Sequence, residues 1–194
     1  AKANGLHTIN RESDIPSELG VANVAAVKRA MMGYIAKPAV IYLSVIGVDT
    51  PIATGFQALA VHSYDYLVGP TDISTEDAKS LSDLVKEQRL KRYVGKGVLP
   101  NVEADNEGIV NFVSTGIKAG GNTFTPAQYA GRIAGILAGT PAECSATYAS
   151  LEEVTGVDTV ENPDAAVDAG KLFLIDDGRR VKLSRAVTSK TTVG

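Results

Sequence analysis

The chain carries little with which to do covalent or redox chemistry. Its 194 residues include one cysteine, Cys144, two histidines, His7 and His62, and no tryptophan. A single cysteine cannot close an internal disulfide, and this usage points to a reducing origin. One thiol and two distant imidazoles also lack the paired spacing that tetrahedral zinc requires. No apolar run approaches the roughly 18 residues of a membrane-spanning helix, which argues against membrane insertion. The first ten residues have neither the charged nor the apolar region of a secretory signal. The absence of an initiator methionine suggests a fragment or processed product. Charge of either sign is modest, with 19 Lys and Arg against 22 Asp and Glu for a net charge of -3. Without a long basic run there is no footprint for nucleic acid or an anionic membrane. Phosphate loops of the form GxxxxGK[ST], GxGxxG turns and GxSxG elbows are all missing, which disfavours common nucleotide and hydrolase sites.

What is present is enough apolar material for one substantial core, at 44% hydrophobic and 21% charged residues. Residues 1–20, with scattered polar groups and Gly5, Pro16 and Gly20, read as an irregular lead-in. Val21, Val24, Ala25, Met31 and Met32 suit a helix ending near Gly33. PAVIYLSVI from Pro38 is a continuous apolar run of the kind found in strands buried on both faces. A second helix is expected over PIATGFQALAVH from Pro51, and a short strand over Asp65–Gly69. Ser74 and Asp77 cap a third helix, with Ala78, Leu81, Leu84 and Val85 on its apolar side and Lys79, Asp83, Lys86 and Glu87 on its charged side. Strands follow at about Tyr93–Leu99 and Ile109–Ser114. Ala119-Gly120-Gly121-Asn122 reads as a flexible surface turn.

Thr125 to Tyr148 gives the strongest helix signal. Thr125 is placed to cap, Pro126 takes the first helical position and Gln128 completes a capping box. Tyr129, Ile133, Ile136 and Leu137 share one side, while Ala127, Gly131, Ala134 and Ala138 share another. Only Gln128 and Arg132 look wet. Internal glycines cost about 1 kcal/mol each against alanine, so they imply close packing of another backbone. Asn162 and Pro163 start a short helix ending at Gly170, and KLFLID with RRVKLSRAV flank Asp177-Gly178, a hairpin signal. The alternation predicts an α/β fold: a layered, mostly parallel central sheet with helices on both faces and a C-terminal β-hairpin, in one domain over residues 1–194.

Candidate chemical groups are sparse. His62 with Ser145 or Cys144 is a conceivable nucleophile and base, but nothing local supports the pairing. Glu103, Asp105 and Glu107 offer hard oxygen ligands on a loop, yet Gly108 follows the cluster instead of taking the sixth position of an EF-hand loop. Asp176 and Asp177 are explained by turn preference. Arg89, Lys91 and Arg92, and again Arg179, Arg180, Lys182 and Arg185, are locally basic. Without an aromatic platform they suit a solvated face or a protein contact better than nucleic acid. No catalytic, cofactor-binding or metal-ligating residue is assigned.

Four segments, YDYLVGPTDISTEDAKSL from Tyr64, VLPNVEADNEGIVNFV from Val98, YAGRIAGILAGTPAECSATYASLEEV from Tyr129 and DAGKLFLIDDGRRVKLSRAVTS from Asp168, together resemble the tail sheath proteins of contractile phages and phage-like particles, R-type bacteriocins included. The resemblance spans most of Val21 to Ser189, in order. It implies a non-enzymatic structural subunit that stacks as hexameric rings into a helical sheath around a tail tube protein and contracts to drive the tube through a cell envelope. It further implies a subtilisin-like domain without the catalytic triad, no cofactor, no nucleic acid, membrane or small-molecule partner, assembly in the bacterial cytoplasm, and a chain that is the central part of a larger sheath protein. The rival function is a small α/β hydrolase or nucleotide-binding enzyme, and a third is a general binding module.

Overall fold

In the computed structural model, which describes residues 4–192, a strand stands where the irregular lead-in was expected. This strand, β1 (Gly5–Ile9), pairs antiparallel with β2 (Ile41–Val45), Gly5 opposite Val45 and Ile9 opposite Ile41. The ladder supplies the backbone partners that polar side chains alone would not. Between them runs α1 (Val21–Met31). Ile9 and Val27 are buried together, with Ile41, Leu43 and Val45 packed on them. The apolar run containing β2 does not enter the parallel sheet. Its residues are only half-buried, in a two-stranded ribbon. The run is apolar throughout because its other face meets α2 (Ile52–Leu59) and the turn after it: Ile46 packs at Gly55, and Tyr42 stacks on His62 at 4.1 Å.

Beyond α2 come β3 (Tyr66–Val68), α3 (Thr75–Leu90), β4 (Lys96–Pro100) and β5 (Ile109–Phe112). The Ser74 hydroxyl accepts from the Asp77 amide at 3.0 Å, fixing the start of α3. β4 begins later than its apolar run suggested, and Tyr93 and Val94 lie exposed in the turn before it. Residues 119–122, read as a loose turn, join a hairpin of β6 (Ile117–Ala119) and β7 (Asn122–Phe124). Gly120 and Gly121 both take positive φ, at 55° and 77°, which side chains resist and hairpin turns need.

Helix α4 (Pro126–Ala138) has the full capping box, Gln128 amide to Thr125 hydroxyl and Thr125 amide to Gln128 side chain. It stops well short of Tyr148, because Gly139 and Pro141 end the helical run and turns follow. The chain continues through β8 (Val154–Gly156), α5 (Pro163–Asp168), β9 (Lys171–Leu172), β10 (Leu174–Asp176) and β11 (Val181–Leu183). β3, β4, β5 and β9 form a wholly parallel sheet in the order β3-β4-β5-β9. β7-β6-β8 and β10-β11 are separate antiparallel sheets, and the β10 to β11 connection runs from Asp177 to Arg180.

Alternate residues of the parallel strands face opposite layers. Val98, Val110 and Phe112 pack under α4 with Tyr129, Ile133 and Ile136. Leu67, Leu99 and Ile109 pack against α2 and α3 through Phe56, Ala78, Leu81 and Val85.

Candidate functional site

The groups with chemical potential do not converge. His62 lies in the turn after α2, with its ring stacked on Tyr42. Ser145 and Cys144 line a depression of about 290 Å³ with Tyr66, Lys96 and Leu137, and His62 is not in its wall. The Ser145 hydroxyl accepts from the Thr147 amide at 3.1 Å, a local turn contact. This depression touches Tyr66 and Lys96, the first residues of β3 and β4, whereas parallel sheets present ligands at the other ends of their strands.

The three loop carboxylates are drawn apart by separate partners. Glu103 pairs with Lys171 at 2.9 Å and Glu107 with Arg89 at 2.6 Å. Asp105 accepts from the amides of Thr191 and Thr192, at 2.8 and 3.0 Å, and from both their hydroxyls. The Thr192 hydroxyl, followed by the two amides, holds the Asp105 carboxyl far below the usual aspartate range. No group of three or more metal-ligating side chains occurs among the described residues. Asp177 is similarly committed: it pairs with Lys182 and accepts from the amides of Arg179 and Arg180 at 2.9 Å, and its carboxyl is lowered by the same partners.

Arg132 overturns the expectation that it is wet. It is 4% exposed, and its Nε donates to Glu153 at 2.6 Å while a terminal nitrogen donates to the Gly33 carbonyl at 2.6 Å. Tyr129 donates its hydroxyl to the same carboxylate at 3.0 Å. Burial pushes the Tyr129 phenol up, and Glu153 adds to it. For Glu153, burial acts upward, but the hydrogen bond and charge of Arg132 outweigh it and leave the carboxyl below its ordinary value. This triad ties α1, α4 and the segment before β8 together. An arginine in an otherwise apolar helix was its only trace in the sequence, since Glu153 lies far along the chain.

A second groove, of about 300 Å³, lies at the end of α3 and is lined by Lys86, Arg92, Tyr93, Glu107 and Lys190 among others. Of the basic residues singled out in the sequence, Arg89 and Arg92 meet here, and Lys190 joins them from a distant segment. Arg89 is held by Glu107 and the Val94 carbonyl, the latter at 2.8 Å. The geometry offers binding contacts and no reacting pair.

A family model for the central domain of phage tail sheath proteins matches residues 47–189. The chain belongs to that family. The sheath match starts just after β2, so the ribbon and α1 lie outside it. The tail sheath protein of Clostridium phage phiCD119 is 29% identical over 192 residues, taking in 95% of this chain and 54% of that protein. The chain thus spans about half the length of the curated sheath relative it matches. Among solved structures, a sheath tail protein from Listeria innocua aligns with a TM-score of 0.65 at 23% identity, over 81% of this chain and 38% of the other. The baseplate structure of the anti-feeding prophage contains a chain with a TM-score of 0.70 at 14% identity, covering 96% and 58%. The contracted helical sheath of the same particle gives 0.67 at 15%, covering 94% and 57%. At these identities the likeness is one of fold.

Proposed function

We propose that this chain is the central part of a contractile tail sheath subunit, a structural protein that polymerises around a tail tube and shortens to drive the tube through a cell envelope. The observation that carries this reading is the sheath-family match across residues 47–189. In this reading the parallel sheet is a subtilisin-like scaffold without its catalytic chemistry, and the divergence of His62 from Ser145 and Cys144 fits a non-enzyme. Subunits stack in hexameric rings, assemble in the bacterial cytoplasm, and end in the tail of a phage or of a phage-like particle such as an R-type bacteriocin.

Contraction is then a rigid-body change between two packings of subunits, with the free-energy difference held in contacts between copies. A stiff interior suits that role. The α1 and α4 pair, locked by Arg132, keeps the domain one body, while α3 and the β10-β11 hairpin present charges outward. Negative-stain electron microscopy of the purified native polypeptide tests the reading. Tubes or stacked rings are expected, and a protein that stays monomeric at every concentration and salt level overturns it. Hydrolase and nucleotide-binding assays should be flat, with His62→Ala indistinguishable from the parent.

A further inference from the structure

We propose that the groove at the end of α3 receives the acidic α5 region of a second copy of this chain, joining neighbours head to tail through a charge-matched contact. The inference rests on the sheath reading for the existence of neighbours. Which surfaces meet is argued from the fold itself.

The groove has an apolar lip. Leu90 is 85% exposed, Val94 80% and Tyr93 48%, all within one short segment. Isolated exposed apolar residues are ordinary, but three side by side at a concave site mark a contact surface. Around them the free charge is positive. Lys91 and Arg92 are exposed and form no ion pair among the described residues, and Lys190 lines the same groove beside Lys86, which is paired with Asp83 at 3.2 Å. The acids present are already engaged, Asp105 by Thr191 and Thr192, and Glu107 by Arg89. An incoming carboxylate would therefore meet cations whose local partners are few.

The matching surface is on the same chain. From Ile133 to Gly170 the sequence contains no lysine or arginine but has Glu143, Glu152, Glu153, Asp158, Glu161, Asp164 and Asp168. Glu153 is held by Arg132, and Glu152 lies 3.8 Å from Arg180. Glu161, Asp164 and Asp168 are exposed and form no ion pair among the described residues. Asp164 and Asp168 lie one turn apart on α5 beside exposed Ala165, and Glu161 stands just before the Asn162 cap, so the region presents carboxylates around one small apolar side chain. That side chain can meet the Leu90, Tyr93 and Val94 lip without steric conflict.

Among the described residues no ion pair joins the two surfaces within one copy, which leaves their complementarity open to a second copy. A two-fold pairing of groove on groove would oppose like charges. Groove on α5 is a heterologous contact, and such contacts close into rings or propagate into open helical arrays according to the rotation between copies. A net charge of -3 and an acid-only α5 region make nucleic acid the poorer occupant.

Charge reversal in the native polypeptide tests this. Lys91→Glu with Arg92→Glu, and separately Asp164→Lys with Asp168→Lys, change only exposed side chains, and circular dichroism melts should match the parent. At about 0.15 M salt, where screening extends over roughly 8 Å, each pair of substitutions should raise the concentration needed for assembly by about tenfold or more in sedimentation velocity. The chain carrying all four should recover most of that loss. Unchanged assembly in both reversed variants, or no recovery in the fourfold variant, overturns the contact and leaves the sheath reading standing. A parent that never self-associates removes both. Retention of a DNA oligonucleotide that is lost in Lys91→Glu with Arg92→Glu while assembly is unaffected assigns the groove to nucleic acid instead.

Discussion

A Cβ placed on Gly135 of α4 would lie 2.1 Å from the carbonyl oxygen of Ala30 in α1. The obstacle is backbone and cannot rotate away. Gly131, one turn earlier, has nothing nearer than 3.9 Å, at the Ala26 carbonyl oxygen. The two helices therefore close on each other toward the C-terminal end of α4.

That taper separates two substitutions of identical chemistry. Gly135→Ala should destabilise by about 2–3 kcal/mol, because overpacking against backbone outweighs the gain in helix propensity. Gly131→Ala should be neutral or stabilising by up to about 1 kcal/mol. Urea denaturation followed by circular dichroism measures both, and equal midpoints for the two variants would refute the asymmetric approach.

The Arg132 and Glu153 pair predicts a second asymmetry. Arg132→Ala leaves a half-buried carboxylate and the Gly33 carbonyl without their donor, at a cost of about 2–3 kcal/mol. Arg132→Met, which keeps the volume, should cost less when combined with Glu153→Gln than when made alone, and a double-mutant cycle reads the coupling. Because the folded carboxyl is held below its ordinary value, the pair stabilises the fold at neutral pH. That contribution disappears as the pH falls below about 4.5 and through the lowered folded value. A Glu153→Gln chain should lose less stability over that acid limb than the parent does.

Asp105 gives a local version of the same linkage. Its lowered carboxyl keeps the hydrogen bonds to Thr191 and Thr192 intact throughout the ordinary range of aspartate titration, and they break only in much stronger acid. In an NMR titration the Thr191 and Thr192 amide shifts should stay constant from about pH 7 to pH 4. Asp105→Asn should move both resonances and speed hydrogen exchange there, with little change in global stability. A midpoint near the ordinary aspartate value would contradict the clamp.

Helix starts offer the simplest check. Thr125→Ala and Ser74→Ala each remove a side-chain acceptor from an otherwise unpaired amide and should cost about 1 kcal/mol. The sites share no partner, so the combined loss should be additive within about 0.5 kcal/mol. A clear excess over the sum would mean that the two caps are coupled.

These caps are also where sequence and structure agree best. Ser74 and Thr125 declare their helices through contacts three residues away, and the stripe Ala78, Leu81, Val85 faces the core as periodicity requires. Features that depended on distant partners were hidden. Arg132 looked solvated because Glu153 and Gly33 approach it only in the folded chain. The β2 run looked like a central strand because it meets apolar neighbours on both faces, although the ribbon leaves its residues only half-buried. The β6-β7 hairpin was masked by strands too short to show alternation, leaving only the two glycines visible. The charge segregation behind the groove was partly legible, since Arg89, Lys91 and Arg92 stand together in sequence. The contribution of Lys190 became visible only once the fold brought it to α3.

The edge position of β9 also governs when the molecule can form. Asn111 pairs with Lys171 and Phe112 with Leu172, and Val181 and Leu183 are buried in the same core as α4. These are non-local pairings, which must close long loops before they return any stabilisation. During synthesis the ribosome must therefore deliver Leu183 before the main core can close. Until then the apolar faces of β4, β5 and α4 are uncovered, and a nascent chain has reason to meet a chaperone before it meets a second copy of itself.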